Sequence, residues 1–180
     1  MTPADADEWG LGVLSGTVRL TPVSPVWRAV AEGLIDDVRS ALGSDASAVE
    51  HIGSTAISGM LAKPIIDIGI RLAPSAQTEV VVGALEGLGY EYRGDAGDGG
   101  GLVFVMNVRP RVRVAHLHAI APGDPQWDRY LAFVERLRTD PIARAAYGDA
   151  KRRLAAAHPD GRQAYTAGKS AIVERLLPRP

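Results

Sequence analysis

Trp27, Val30, Ala31, Leu34, Ile35, Val38 and Leu42 recur at helical spacing and predict a helix that buries one face. Ser24 would cap it, with Pro25 at its first position. Gly43 would stop it. Ala46 to Ile52 reads as strand. Pro64 to Leu72 is a near-continuous apolar, β-branched run, the pattern of a strand covered on both faces. Between them, Gly53 to Lys63 reads as a loop with room for a short helical turn. Ahead of the first helix, residues 1–16 read as a loose leader and Thr17 to Leu20 as a short strand ended by Pro22.

The second half continues the alternation. Ser75 would cap a helix with Val81, Ala84, Leu85 and Leu88 inward, and Gly89-Tyr90 would begin an extended piece. Gly94 to Gly101 reads as a flexible turn. Leu102–Val108 and Arg111–Ile120 flank Arg109-Pro110 as a hairpin. Helices then follow. One starts at Asp124-Pro125 with Trp127, Tyr130, Leu131, Val134 and Leu137 on one face. Another runs from Asp140-Pro141 to about Ala157, and Asp160 would cap a last one ending before Pro178. The order is that of a single α/β (α+β) domain, a mixed sheet with flanking helices and a C-terminal helical segment.

Composition changes this picture little. The chain has 180 residues, 46% hydrophobic and 23% charged, as expected of one soluble globular domain. Its formal net charge of -1 argues against nucleic acid or an anionic membrane as bulk partner. It has no cysteine, so a metal would need His and carboxylate ligands. The start, MTPADADEWG, is acidic, unlike a signal peptide, and no apolar run is long enough to span a bilayer. The expected location is cytoplasmic.

Chemistry concentrates in HIGSTAISGMLAKPIIDIGI, residues 51–70. A Gly-Ser pair after a strand lets backbone N–H groups approach an anion, and Ser54 and Thr55 add hydroxyls. A lone carboxylate, Asp67, interrupts the following apolar strand. Facing the loop, it could hold a divalent cation. Together they would position a nucleoside triphosphate and its metal, with Lys63 neutralising further charge. Alternatively Gly53-Ser54-Thr55 is a plain turn and Asp67 satisfies buried backbone.

His116 and His118 are two apart in a strand, so both imidazoles project from one face. Beside Asp67 they would make a two-His-one-carboxylate site, with His51 as a fourth member. One of them could instead act as general base, or both could simply bond backbone. Tyr147 and Lys151 are four apart, as are Tyr165 and Lys169, so each pair shares a helical face. Packed over the sheet, Arg138, Lys151 and Lys169 could contact phosphates. Otherwise the rings pack and the lysines reach solvent. Gly94–Gly101 lacks the following Lys-Ser or Lys-Thr of a phosphate loop.

EHIGSTAISGMLAKPIIDIGI resembles the signature of the GrpB family (UPF0157), a branch of the nucleotidyltransferase superfamily, approximately hiGSTSVPGLaaKPiIDi. His51, Gly53, Ser54, Thr55, Gly59, Leu61, Ala62, Lys63, Pro64, Ile65, Ile66 and Asp67 match. Ala56, Ile57 and Ser58 depart from Ser-Val-Pro. VRLTPVSPVW, GYEYRG, HLHAI, YLAFVERLRTDPIARAAYGDAKRRLA and YTAGKSAIVERL are similar to further family segments, so the resemblance spans 17–177.

The resemblance implies a nucleotidyltransferase-like mixed sheet carrying the active site. It implies a nucleotide- and metal-dependent transferase acting on a small-molecule acceptor. Gly53, Ser54, Thr55, Lys63, Arg138, Lys151, Tyr165 and Lys169 would bind ATP or another triphosphate. Asp67, His116, His118 and His51 would hold Mg, Mn or Zn, and Asp67, His116 and His118 would serve catalysis. The superfamily pattern also places a second carboxylate two residues after the first, and here that residue is Gly69. A third would fall on the strand that carries His116 and His118. The alternative is a non-catalytic nucleotide- or CoA-related module that retains the fold. Similar domains fused to dephospho-CoA kinase imply a link to coenzyme A metabolism. A weaker option is a metal-dependent enzyme unrelated to nucleotides.

Overall fold

The computed structural model describes residues 1–95 and 101–177. A six-stranded mixed sheet forms its centre. The path runs β3 (Ala46–Ile52), β5 (Ile66–Leu72), β8 (Val112–Ile120), β7 (Leu102–Arg109), β6 (Glu91–Asp95). β5 and β8 are parallel, and the other neighbours on this path are antiparallel. β1 (Val13–Leu14) pairs antiparallel with the start of β8. β2 (Thr21–Pro22) and β4 (Leu61–Ala62) form a separate two-stranded ribbon. Among the described residues no helix is long and apolar enough to cross a membrane.

The two faces of the sheet are covered by different helices. α2 (Val26–Leu42) buries all seven of its periodic apolar residues against one face, with α3 (Thr78–Gly87) beside it. Ile66, Ile68 and Ile70 of β5 and Ala115, Leu117 and Ala119 of β8 are fully buried there. α4 (Gln126–Thr139), α5 (Pro141–Ala157) and α6 (Arg162–Leu176) cover part of the other face. Ile57 and Met60 of the loop after β3 insert among Phe133, Val134, Leu137, Tyr147 and Ile172, which ties that loop to the C-terminal helices.

The expected mixed sheet with flanking helices is therefore borne out, and β3, β5, the β7–β8 hairpin and α5 lie close to where the pattern put them. Asp140 caps α5 through the N–H groups of Ile142 (2.8 Å) and Ala143 (3.0 Å). Other expectations need correction. The stretch read as a loose leader contains α1 (Pro3–Glu8), closed by a Thr2–Asp5 capping box, and it buries Ala6, Leu11 and Val13. Thr17 to Leu20 is not a strand, because its polar groups go to loop partners: Val18 N–H donates to the Pro159 carbonyl and the Arg19 guanidinium to that of Gly12.

Ser24 accepts through its carbonyl, from Trp27 N–H, and α2 begins at Val26. Ser75 does not cap α3. It sits in a turn closed by Ala76 N–H on the Ala73 carbonyl, and the helix starts at Thr78. Asp160 likewise lies in a turn closed by Gly161 N–H on the His158 carbonyl, so Gly161 takes the cap position before α6. On α4, Leu131 is exposed and Phe133 takes its inward place. The flexible turn expected at Gly94–Gly101 falls mostly on 96–100, outside the described residues.

Candidate functional site

Alternation along β5 turns Asp67 and Gly69 away from the isoleucine face. The parallel register sets Asp67 opposite His116 and Gly69 opposite His118. Side chains on these paired positions share a face, so the carboxylate and both imidazoles converge. His116 Nδ1 lies 3.1 Å from Asp67 Oδ1, and His118 Nε2 lies 3.9 Å from the same oxygen. The Tyr130 hydroxyl of α4 is 3.4 Å from His118 Nδ1. Asp67, His116 and His118 keep 30%, 15% and 23% of their side-chain surface, so the cluster is enclosed but reachable.

Gly53 explains the first half of the Gly-Ser signal. It has φ +69°, in the region that favours glycine, and a Cβ there would stand 2.8 Å from Asp67 Oδ2. The backbone after β3 thus runs directly against the carboxylate. Ser54, Thr55 and Ala56 follow as one 3-10 turn. Lys151 on α5, only 2% exposed, donates to Ser54 Oγ (2.9 Å) and to the Leu61 carbonyl. Its ammonium stands 5.1 Å over the Tyr147 ring. Lys63 Nζ stands 4.3 Å over the Tyr165 ring.

The electrostatics are lopsided. Burial pushes the Asp67 carboxyl up, but the hydrogen bonds and charge of His116 and His118 outweigh it and hold it below the usual carboxylate range. Burial lowers His116 further than Asp67 raises it, so the ring is neutral at pH 7. A neutral ring can donate Nδ1–H to the carboxylate. That leaves Nε2, which is buried and without a hydrogen-bond partner among the described residues. Burial, then the Lys169 charge, lowers Lys151 to about 7 and Lys63 to about 8. Asp67 works against both shifts. Arg162 also depresses Lys63. Lys63, Lys151, Lys169 and Arg162 therefore crowd one another, with Asp67 the carboxylate felt by Lys63 and Lys151, an excess of positive charge that polyphosphate would relieve.

The cluster suits a metal. A tetrahedral ion with ligand bonds near 2.0–2.1 Å needs ligand atoms about 3.3 Å apart. The observed separations of 3.1 and 3.9 Å bracket that value, and one ligand atom from each of the three residues lies within 4.8 Å of the others. Two imidazoles and a carboxylate match zinc, manganese or iron better than magnesium, which prefers oxygen. Tyr130 gives His118 the second hydrogen bond that orients a ligating imidazole.

Other candidates stand apart. His51 pairs with Ile68, which places it on the α2 face, and its Nε2 lies 2.9 Å from Thr55 Oγ1. It is outside the converging triad, so it and Thr55 support the loop rather than join the carboxylate. Arg138 donates to the Ala56 carbonyl at 3.1 Å and braces the same loop. The carboxylate expected at Gly69 would be crowded: a Cβ would meet Ile52 at 3.2 Å and Trp127 at 3.3 Å, so both side chains would have to yield by a few tenths of an ångström. Trp127 of α4 fills that place. Sequence reasoning treated Tyr130 only as packing. Its spacing of three from Trp127 on one helical face was the available signal. Arg162, absent from the expected set, has no local motif at all.

A carboxylate-imidazole cluster beside a glycine-led, lysine-lined turn makes this part of the mixed sheet a candidate anion and metal site. The GrpB protein family model matches residues 17–179, and the chain belongs to that family. It is 35% identical over 164 residues to UPF0157 protein PA4798 of Pseudomonas aeruginosa, covering 90% of this chain and 67% of that one. It is 34% identical over 167 residues to UPF0157 protein BH1888 of Halalkalibacterium halodurans, covering 92% and 83%. The crystal structure of the conserved protein GrpB from Enterococcus faecalis superposes with TM-score 0.76 at 30% identity, covering 88% of this chain and 96% of that one.

Proposed function

We propose that this GrpB protein binds a nucleoside triphosphate with a divalent metal and transfers a nucleotidyl or phosphoryl group to a small-molecule acceptor. The observation that carries this reading is the meeting of Asp67, His116 and His118 with the Gly53–Ser54 turn and three lysines. Asp67, His116 and His118 would hold the metal, which would neutralise phosphate charge. The N–H groups of the Ser54 turn and the Ser54 hydroxyl would face the phosphates. Lys63, Lys151 and Lys169 would supply charge, with Tyr165 fixing Lys63 from beneath. In the transfer, an acceptor hydroxyl or amine forms the new bond to phosphorus. The bond to the leaving group breaks, a nucleoside diphosphate in phosphoryl transfer or pyrophosphate in nucleotidyl transfer, the leaving group keeps the electron pair, and the acceptor proton passes to water.

Because the four cations repel a bare metal ion, metal and nucleotide should bind together rather than separately. Thermal shift with ATP, GTP, CTP, UTP and dephospho-CoA, each with and without Mg²⁺, Mn²⁺ or Zn²⁺, tests this. A rise in Tm that needs both nucleotide and metal, and that Asp67→Ala abolishes, is expected. No shift with any pair would sink the proposal. The packing of Trp127 over Gly69 favours a second reading, a binding module that has lost two-metal chemistry. A nucleotide shift that persists without metal in Asp67→Ala would favour it.

A further inference from the structure

A cavity of about 410 Å3 opens at the hairpin end of the sheet, and its lining includes Glu91, Arg93, Asn107, Arg109, Arg111 and Arg113. Arg109 is committed to Asp7, and Arg111 donates to the Ser15 carbonyl at 3.3 Å. Arg93 shares Glu91 at 2.7 Å. Half-buried Arg113 has no hydrogen-bond or ion-pair partner among the described residues. Burial, then Arg162 and Arg93, lowers its pKa, and the nearby Glu91 carboxylate offsets this only in part. Asn107 donates to Glu91 at 3.3 Å, while its buried Oδ1 has no partner among the described residues.

The cavity lies on the same side of the sheet as the Asp67 cluster. Glu91 pairs with Val105, and Val105 pairs with His116, so Glu91 stands on the face that carries the cluster. Two strand spacings put it about 10 Å from His116. Arg113 precedes His116 by three residues on β8, also about 10 Å. Arg113, Lys63 and Arg162 also line a separate narrow crevice.

We propose that this cavity binds the anionic group of the acceptor, a small phosphate- or carboxylate-bearing molecule, on Arg93 and Arg113. Its reacting group lies about 10 Å away, the strand-spacing distance to His116. Its role as acceptor rests on the transfer reading above; the anion site itself does not.

Calorimetric titration of the full chain with inorganic phosphate, and separately with malate, in the absence of nucleotide and metal, tests the site. Arg113→Gln and Arg93→Gln should each weaken the tighter-binding probe about tenfold or more. Lys169→Gln reports binding at the lysine side and should change it about twofold at most. Tighter phosphate binding assigns a phosphate group, and tighter malate binding a carboxylate. Wild-type affinity in both arginine variants, or a loss confined to Lys169→Gln, overturns the proposal. Arginine-dependent anion binding without any nucleotide binding leaves the site standing and removes the transfer reading. Nucleotide binding without arginine-dependent anion binding does the reverse.

Discussion

β5 and β8 carry two chemistries on alternate residues. On the α2 face, Ile66, Ile68, Ile70, Ala115, Leu117 and Ala119 are sealed into the core. On the face under α4, Asp67, His116 and His118 are enclosed but still reachable among lysines. The same backbone ladder supports both, so rigidity is generated on one side and used on the other. The polar triad on β5 and β8 is held in register because the residues between its members cannot move without opening the core. Stability should therefore be lost on one face and ligand binding on the other.

The largest expected effect is on the core face. Ile68→Ala should cost about 2–5 kcal/mol, read as a lower urea midpoint, with nucleotide-metal affinity retained in the folded fraction. Next come the glycines that let the two sides meet. Gly53→Ala should cost about 1–3 kcal/mol, because its backbone conformation is nearly confined to glycine. Its new methyl should also displace the Asp67 carboxylate. Gly69→Asp should cost about 1–3 kcal/mol by overpacking against Trp127 and Ile52. Adding Trp127→Ala should recover part of that cost, a coupling that a double-mutant cycle detects.

A pH effect separates the lysine side. Lys151 keeps its proton up to about pH 7 when folded but far higher when unfolded. Between about pH 7 and the ordinary lysine range the unfolded chain binds more protons, so stability rises with pH. Lys63 adds the same sign above about pH 8. Urea midpoints should climb from pH 7 to 9.5 in the wild type, and Lys151→Met should flatten the climb. The smallest expected effect on stability is that of Tyr130→Phe. It leaves the fold nearly unchanged yet should weaken metal binding about tenfold or more by freeing His118 Nδ1.

The sequence made the sheet face legible, since periodicity reports it directly. The isoleucines of β5, the His-x-His of β8 and the apolar stripe of α2 each follow from spacing alone. Asp140 at the head of α5 was readable because Asp-Pro is a local signal, whereas Ser75 and Asp160 carried similar signals that competing turns absorbed. The short α1 has no apolar stripe, and its local signals are the Thr2–Asp5 pair and Pro3 at its first position.

The site divides the same way. Asp67 with His116 and His118 followed from strand alternation once β5 and β8 were neighbours. Lys151 on Ser54 and Trp127 over Gly69 depend on how the C-terminal helices dock, which nothing near either residue in the chain encodes. Gly69 itself was visible as a missing carboxylate, but not as a position crowded by an indole.

The central claim is that Asp67, His116 and His118 form one metal site that works with nucleotide. Its most direct test is calorimetric titration of Mn²⁺ or Zn²⁺ into the apo protein and into His118→Ala, each with and without ATP. Tight, ATP-enhanced binding in the wild type and its loss in His118→Ala is the predicted result. Equal metal affinity in the two proteins would contradict it.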